Sequence, residues 1–300
     1  MKFIIVGDIH CDFIGPKTRT KNFYSCFLNK IQQITKFAKE NDIENIICLG
    51  DFFENYVVDY FEKIIYDLAP IMGQLNWYSL IGNHDSKRID KEVYGTSFGA
   101  LVASGLIKDK NQLKQLIEKD MNCDFFDYWN KDEFSNKTKH DNKKLSIAFI
   151  HDFIMPNNTK ENFEFKKCEE TNYNYVFLGH YHYDFDEIVG KTRYINPGSL
   201  MRLTINEKDK NRQPKFIVFD TEGNGLVEYK FLETKKDVFD LESKQNNLSE
   251  EFNSKFAKML IDKNLANGSS NDIIELLKKN KIDEKIIQYI SLKSEEVKND

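Results

Sequence analysis

No apolar run in this 300-residue sequence approaches the roughly 20 residues of a membrane-crossing helix, so a membrane span is not expected. The opening stretch Met1-Lys2-Phe3-Ile4-Ile5-Val6 is too short for a secretory leader and runs straight into Asp8; the expected compartment is the cytoplasm. Cysteine is scarce. The 5 present, Cys11, Cys26, Cys48, Cys123 and Cys168, are odd in number and form no C-x-x-C pair, which excludes a disulfide framework and fits a reducing compartment. An excess of positive charge is also missing. With a net charge of -5 and a pI near 5.8, the chain cannot hold nucleic acid by charge alone, and such a substrate would need metals or a partner chain. Repeats and low-complexity tracts are absent. Histidine is rare too, but all of the 6 except His140 stand in short motifs at the ends of apolar runs.

What is present describes a globular chain. Hydrophobic residues at 40%, with 24 Phe and 14 Tyr, argue against disorder, while 30% charged residues and a mean hydropathy of -0.57 give a soluble surface. The length suits an α/β catalytic domain with a smaller appendage.

Residues 2–6 are β-rich and apolar, as in a strand buried on both faces, and end at Gly7. Phe23, Phe27, Ile31, Ile34 and Ala38 repeat at helical spacing between Lys21 and Asn41, and Ile46-Ile47-Cys48-Leu49 returns to a strand ending in Gly50-Asp51. A second β-α-β step follows, with a helix over about residues 55–69, a break at Pro70, and a strand from Trp77 to Ile81 ending in Gly82-Asn83-His84-Asp85. Regularity weakens from Ser86 to Lys144, apart from a helix from Phe98 that stops near Gly105; His140 lies in a polar loop. Strands Leu145–Ile150 and Tyr175–Leu178 present His151 and Gly179-His180-Tyr181-His182. Thr192–Ile195, the turn Asn196-Pro197-Gly198-Ser199, and a hairpin over residues 216–230 complete this part. From Leu248 onward strand patterns give way to helical stripes.

Asp8, His10, Asp51, Asn83, His151, His180 and His182 each follow a strand, where ligands gather in α/β sheets. In an extended segment Asp8 and His10 would point the same way and share a cation. The whole set is enough for two cations if one carboxylate bridges, and two cations about 3.5 to 4 Å apart stabilise both oxygens of an in-line displacement at phosphorus. Hydrolysis of a phosphate ester is the expected reaction. Mixed nitrogen and oxygen donors favour Mn²⁺, Fe²⁺ or Zn²⁺ over Ca²⁺. His84, beside Asn83, is a candidate to donate to a phosphoryl oxygen or leaving group, with Asp85 holding its orientation; a further metal ligand is the alternative.

The series GDIH, GD, GNHD, a lone histidine after a strand, and GHYH resembles the calcineurin-like metallophosphoesterase superfamily over residues 1–232. Within it, the run from Ser97 to Ile107 after GNHD, the segment Tyr194-Ile-Asn-Pro-Gly-Ser-Leu-Met-Arg-Leu-Thr204 and the following hairpin are most similar to SbcD-type nucleases of double-strand-break repair, including phage-encoded versions. The resemblance implies an α/β fold, a two-sheet β-sandwich flanked by helices, over residues 1–235. A small helical appendage, residues 236–300, would follow. It also implies one metal on Asp8, His10, Asp51 and His182, a second on Asp51, Asn83, His151 and His180, and His84 as the catalytic histidine. Manganese-dependent cleavage of DNA and an SbcC-type coiled-coil ATPase partner, docked on the C-terminal helices, come with it, with self-packing of those helices as the alternative, and a homodimer is compatible with it.

Two departures matter. Relatives often carry another histidine where this chain has Phe52-Phe53-Glu54, and little sequence remains for a separate DNA-capping domain. Lys17, Arg19, Lys21, Lys191, Arg193, Arg202, Lys208, Lys210 and Arg212 could line a DNA path, although most read as solvated charges. A phosphodiesterase or phosphatase for a small substrate, and a non-catalytic scaffold on the same fold, are the competing readings; intact ligands argue against the scaffold.

Overall fold

The computed structural model describes residues 1–20, 22–87, 92–118, 121–134, 144–159, 166–222, 225–234 and 238–239. All belong to the unit Met1–Asp240. His140 and the helical tail expected from Leu248 lie outside the described residues.

Two five-stranded sheets organise this unit. The first contains β1 (Lys2–Val6), β2 (Asn45–Cys48) and β3 (Asn76–Ser79), parallel to one another. β11 (Lys215–Asp220) lies antiparallel on the other side of β1, with β12 (Leu226–Phe231) as its hairpin partner at the edge. The second sheet has the order β4 (Met121–Phe126), β5 (Leu145–His151), β8 (Tyr175–Gly179), β10 (Thr192–Asn196), β9 (Phe185–Val189), all parallel except β9. A short parallel pair, β6 (Ile154–Met155) and β7 (Lys166–Lys167), stands apart.

Side chains alternate even where every residue is apolar. On β1, Phe3 and Ile5 enter the core between the sheets with Ile47, Phe149, Phe177 and Phe219, whereas Ile4 and Val6 face a second core. That second core packs against α1 (Phe23–Glu40), α2 (Phe61–Met72) and α3 (Ser97–Ala103). Burying each such side chain contributes on the order of 1.5 to 3 kcal/mol. A two-sided core explains the uninterrupted apolar runs, and the sandwich flanked by helices agrees with the expected fold.

Several elements differ from the sequence pattern. α2 starts at Phe61, because residues 52–58 form a loop in which Tyr56 O accepts from Ser97 N at 2.8 Å and Val58 N donates to Ser97 Oγ at 3.1 Å. Its end passes through Pro70 to Met72. The hydrogen bond that Pro70 cannot donate would go to residue 66, whose tyrosine is 78% exposed, so water can serve that carbonyl. In the weakly patterned stretch, α4 (Lys110–Ile117) buries only Leu113 and Ile117, and β4 interleaves Asn122 and Asp124 with Met121 and Cys123. β9 is a half-exposed edge carrying Asp186 and Glu187, and α5 (Glu207–Asn211) is one polar turn and a half. None of these has a strong apolar period to read. All five cysteines are buried and free, Cys11 included.

Candidate active site

The loops that leave β1, β2, β3, β5 and β8 meet at the carboxyl ends of both sheets. Gly50 and Gly82 let them close. A Cβ on Gly50 would stand 2.3 Å from His151 Nδ1, and one on Gly82 would stand 2.0 Å from Asp51 Oδ1. Backbone bonds then fix the first half of the site, Ile9 N and His10 N both donating to Asp51 O at 3.0 and 2.9 Å. His10, Asp51 and His180 have φ of +50°, +47° and +81°, an unfavourable region for side-chain-bearing residues that is characteristic of functional sites. β1 has already ended at Val6, so Asp8 and His10 do not converge by strand alternation as the pattern predicts. They converge because His10 turns left-handed.

Asp8, His10 and His182 form one group able to hold a metal ion. His10 Nε2 is 2.9 Å from His182 Nε2, and Asp8 Oδ2 lies 3.4 Å from His182 Nε2 and 3.9 Å from His10 Nε2. Asp51, His151 and His180 form a second. There His151 Nε2 is 3.3 Å from both Asp51 Oδ2 and Asn83 Oδ1, which adds the expected asparagine. Asp51 also lies 3.9 Å from His10 Nε2, so its carboxylate faces both groups. The seven candidate ligands thus lie together at the strand ends.

Secondary contacts orient them. His180 N donates to both Asp8 oxygens at 3.0 and 2.9 Å, His84 N donates to Asp51 Oδ1 at 2.9 Å, and His151 Nδ1 meets Leu49 O at 2.7 Å. The last contact leaves Nε2 of His151 facing Asp51.

The residues fit divalent cations. Among the described residues His180 Nδ1 is buried without a hydrogen-bond partner, an arrangement that costs free energy unless a cation fills it, and Asp51 Oδ2 has no contact closer than His151 Nε2 at 3.3 Å among its ion pairs. Charge tells the same story. Burial would lower His151, but Asp51 holds it up at about 10; burial would lower His10, but Glu54 and then Asp51 hold it up at about 9. The carboxylates thus favour positive charge at the place where a cation would sit. Burial, then the positive His151, pushes His180 down to about 4; burial and His10 push His182 down to about 3. Despite its burial, Asp51 lies well below the ordinary carboxylate range because of His151, whereas burial raises Asp8.

His84 and Asp85 occupy different roles from those the sequence pairs together. His84 rests its Nδ1 against Glu54 O, and it forms a further three-residue group with His10 and Asp51. Asp85, fully buried, instead accepts from Phe52 N, Phe53 N and Gly82 N at 3.2, 3.1 and 3.0 Å. It braces the Asp51 loop against the Asn83 turn. The orienting contact expected from Asp85 is made by the Glu54 carbonyl. Asp85→Ala would leave three buried N–H groups unmatched, at about 1 kcal/mol or more each. A loss of about 3 kcal/mol or more in urea unfolding is expected, with metal content reduced as the braced loops loosen.

Glu54 itself was not among the expected site residues. Its Oε2 lies 2.8 Å from His10 Nδ1, so one residue touches both His10 and, through its carbonyl, His84. The departure Phe52-Phe53-Glu54 was the only signal. Tyr128 and Phe153 flank His180 at ring-centroid distances of 5.5 Å each, and no motif marks either. Several expected basic residues are not solvated: Arg19, Arg202 and Arg212 are buried, and Arg193 grips Asp186 through two bonds of 2.9 and 2.7 Å.

A two-sheet α/β sandwich with carboxylate, amide and imidazole ligands at its strand ends defines a metallophosphoesterase. The chain belongs to the calcineurin-like phosphoesterase superfamily, whose domain model matches residues 1–224. Its members use divalent metals, and the ligand groups described above are the candidate metal-binding residues here. Among solved structures, the chain is similar to an archaeal phosphodiesterase, at 18% identity over 77% of this chain and 100% of that one, with a TM-score of 0.35. Vps29 from Entamoeba histolytica, solved in complex with zinc, is 13% identical over 77% and 99% of the two chains, with a TM-score of 0.35. A hypothetical protein from Pyrococcus horikoshii OT3 is 12% identical over 96% and 97%, with a TM-score of 0.39. No curated protein matches the chain. No helix among the described residues is long and apolar enough to cross a membrane.

Proposed function

We propose that the chain hydrolyses DNA phosphodiester bonds with two divalent cations, Mn²⁺ foremost and Fe²⁺ or Zn²⁺ as alternatives, as the nuclease subunit of an SbcCD-like repair or recombination complex. The observation that carries the two-cation chemistry is Asp51, one carboxylate facing both ligand groups. Such cations, when bound, act as Lewis acids on the attacking and leaving oxygens of the phosphodiester. Asp8, His10 and His182 hold one side of the site, and Asn83, His151 and His180 the other. His84, oriented by the Glu54 carbonyl at Nδ1, uses Nε2 to donate a hydrogen bond or proton to the phosphoryl group.

A polymeric, base-bearing substrate is supported by the rim. Past His10 and Glu54 the same two loops expose Ile14, Tyr56, Val57 and Tyr60, with Phe13 and Tyr60 rings 4.6 Å apart. Exposed aromatic rings beside a phosphate-cleaving centre suit stacking of unpaired bases, each worth about 1 to 3 kcal/mol. Binding to an SbcC-type coiled-coil ATPase through residues 236–300 would supply the grip on duplex DNA that a net charge of -5 does not.

The burial or pairing of Arg19, Arg193, Arg202 and Arg212 favours a second reading, a phosphodiesterase for a small substrate, since it removes much of the basic path. A Mn²⁺-supplemented assay on single- and double-stranded DNA, with and without the cognate ATPase, distinguishes the two. Cleavage lost in His84→Ala is expected. Turnover of aryl phosphodiesters with DNA left intact in every combination would transfer the assignment to the small-substrate reading.

A further inference from the structure

Away from the metal ligands, Arg19, the first half of α1, the Arg202 turn and the segment around Glu233 enclose a cavity of about 350 Å³. Its walls are unusually cationic. Lys30 is 4% exposed, and its Nζ donates to Met201 Sδ at 3.3 Å, which supplies no opposing charge. Arg19 sits beside it, buried, with Nη1 donating to Arg202 O and Nε lacking a partner. The Arg202 guanidinium borders the same space, and Phe239 lies under both arginines at 5.4 and 5.8 Å.

Among the described residues, a carboxylate that reaches Arg19 and Arg202 electrostatically, Asp209, is already engaged. Its Oδ1 accepts from Arg212 Nε at 2.9 Å, and its Oδ2 accepts from Leu203 N and Thr204 N at 2.6 and 2.8 Å. Glu233 is exposed at the mouth. Leaving a buried ammonium without an anion costs several kcal/mol, so proteins pair such groups or bind something there. Consistently, burial and then Arg19 push the Lys30 ammonium down to about 7. A neutral donor adds to the set: Ser25, whose hydroxyl donates to Asn22 O at 2.9 Å, and Asn29 border the cavity, and Asn29 Oδ1 is occupied by Gln33 Nε2 at 2.6 Å, which leaves the Asn29 amide N–H groups to donate.

We propose that this cavity binds the phosphate group of a small ligand, with Lys30 and Arg19 as its principal partners and Arg202, Ser25 and Asn29 around it. Guanidinium and ammonium groups together match a phosphate's charge and its several acceptor oxygens. The volume lies near the lower end for small-molecule pockets, enough for free phosphate or a phosphorylated nucleoside and too confined for a duplex. The same turn that carries Arg202 is tied to the metal centre, since Leu200 N donates to Asp8 O at 2.7 Å.

Calorimetry on the full chain tests this, titrating inorganic phosphate in one arm and deoxyadenosine 5′-monophosphate in the other. Each is run with metal and after chelation, to separate this site from the metal centre. One saturable site that survives chelation is expected; tighter nucleotide than phosphate binding would assign the source to a phosphorylated nucleoside, and equal binding to free phosphate. Lys30→Met, which keeps the volume and removes the charge, should weaken binding at least tenfold while raising the melting temperature of the unliganded protein. Asn29→Asp, at an exposed wall position, should weaken binding without disturbing the fold. DNA or phosphodiester turnover should persist in both variants. Loss of all binding on chelation, or unchanged affinity in both variants, overturns the proposal.

Discussion

Replacing Asp51 with asparagine is expected to reduce turnover by about 10³-fold or more and to take the metal content from two equivalents per chain to one or fewer. The substitution keeps shape and removes the charge that both ligand groups share. A stabilisation of about 4 kcal/mol at a reacting phosphoryl group corresponds to that factor. Asp51 Oδ1 also receives His84 N at 2.9 Å, a bond that the asparagine amide oxygen can still accept, so the histidine loop should keep its anchor. Metal analysis and single-turnover kinetics on the purified variant check both effects. Retention of two equivalents with near-normal turnover would remove Asp51 from its bridging role.

The second large effect belongs to His84. Because its Nδ1 is held by the Glu54 carbonyl, its other nitrogen is the one available to substrate. His84→Ala should therefore lower the rate by about 10² to 10⁴-fold, the usual contribution of a positioned acid or base, with both metals still bound. Metal content is the deciding measurement, since His84 also lies within a group with His10 and Asp51. A parallel fall in bound metal would make it a ligand instead. The split between kcat and KM adds a further check: a donor used in the transition state lowers kcat and leaves KM nearly unchanged.

Much of the candidate metal site is legible in the sequence because each candidate ligand follows an apolar run that must stop where the backbone crowds. Gly50 and Gly82 mark those stops, and their absent side chains make room for His151 and Asp51. Less legible is how the ligands reach one another. The left-handed turns at His10, Asp51 and His180 leave only a weak compositional trace, since Asp and His enter this region more often than most side chains but far less readily than glycine. Glu54 is hidden for a related reason: its two contacts, to His10 and to His84, join segments far apart in the chain. The pairing of His84 with Asp85 fails because adjacency in sequence says nothing about which way a buried carboxylate points. Asp85 turns to three backbone amides instead. Among the elements, α4 and β9 escape because an eight-residue helix with two buried positions and an edge strand with two acids carry little period.

The antiparallel seat of β11 between β12 and β1 has a consequence for biosynthesis. A nascent chain emits β1 long before β11 and must wait until residues 215–220 leave the ribosome before that strand gains its second neighbour. For more than two hundred residues of translation, at about 5 to 20 residues per second, one flank of β1 offers unpaired amides and carbonyls. The segment that bears Asp8 and His10 thus leaves the ribosome well before the strand that completes its sheet. Premature termination before β11 should leave an aggregation-prone fragment, with the catalytic half-site built and its scaffold open.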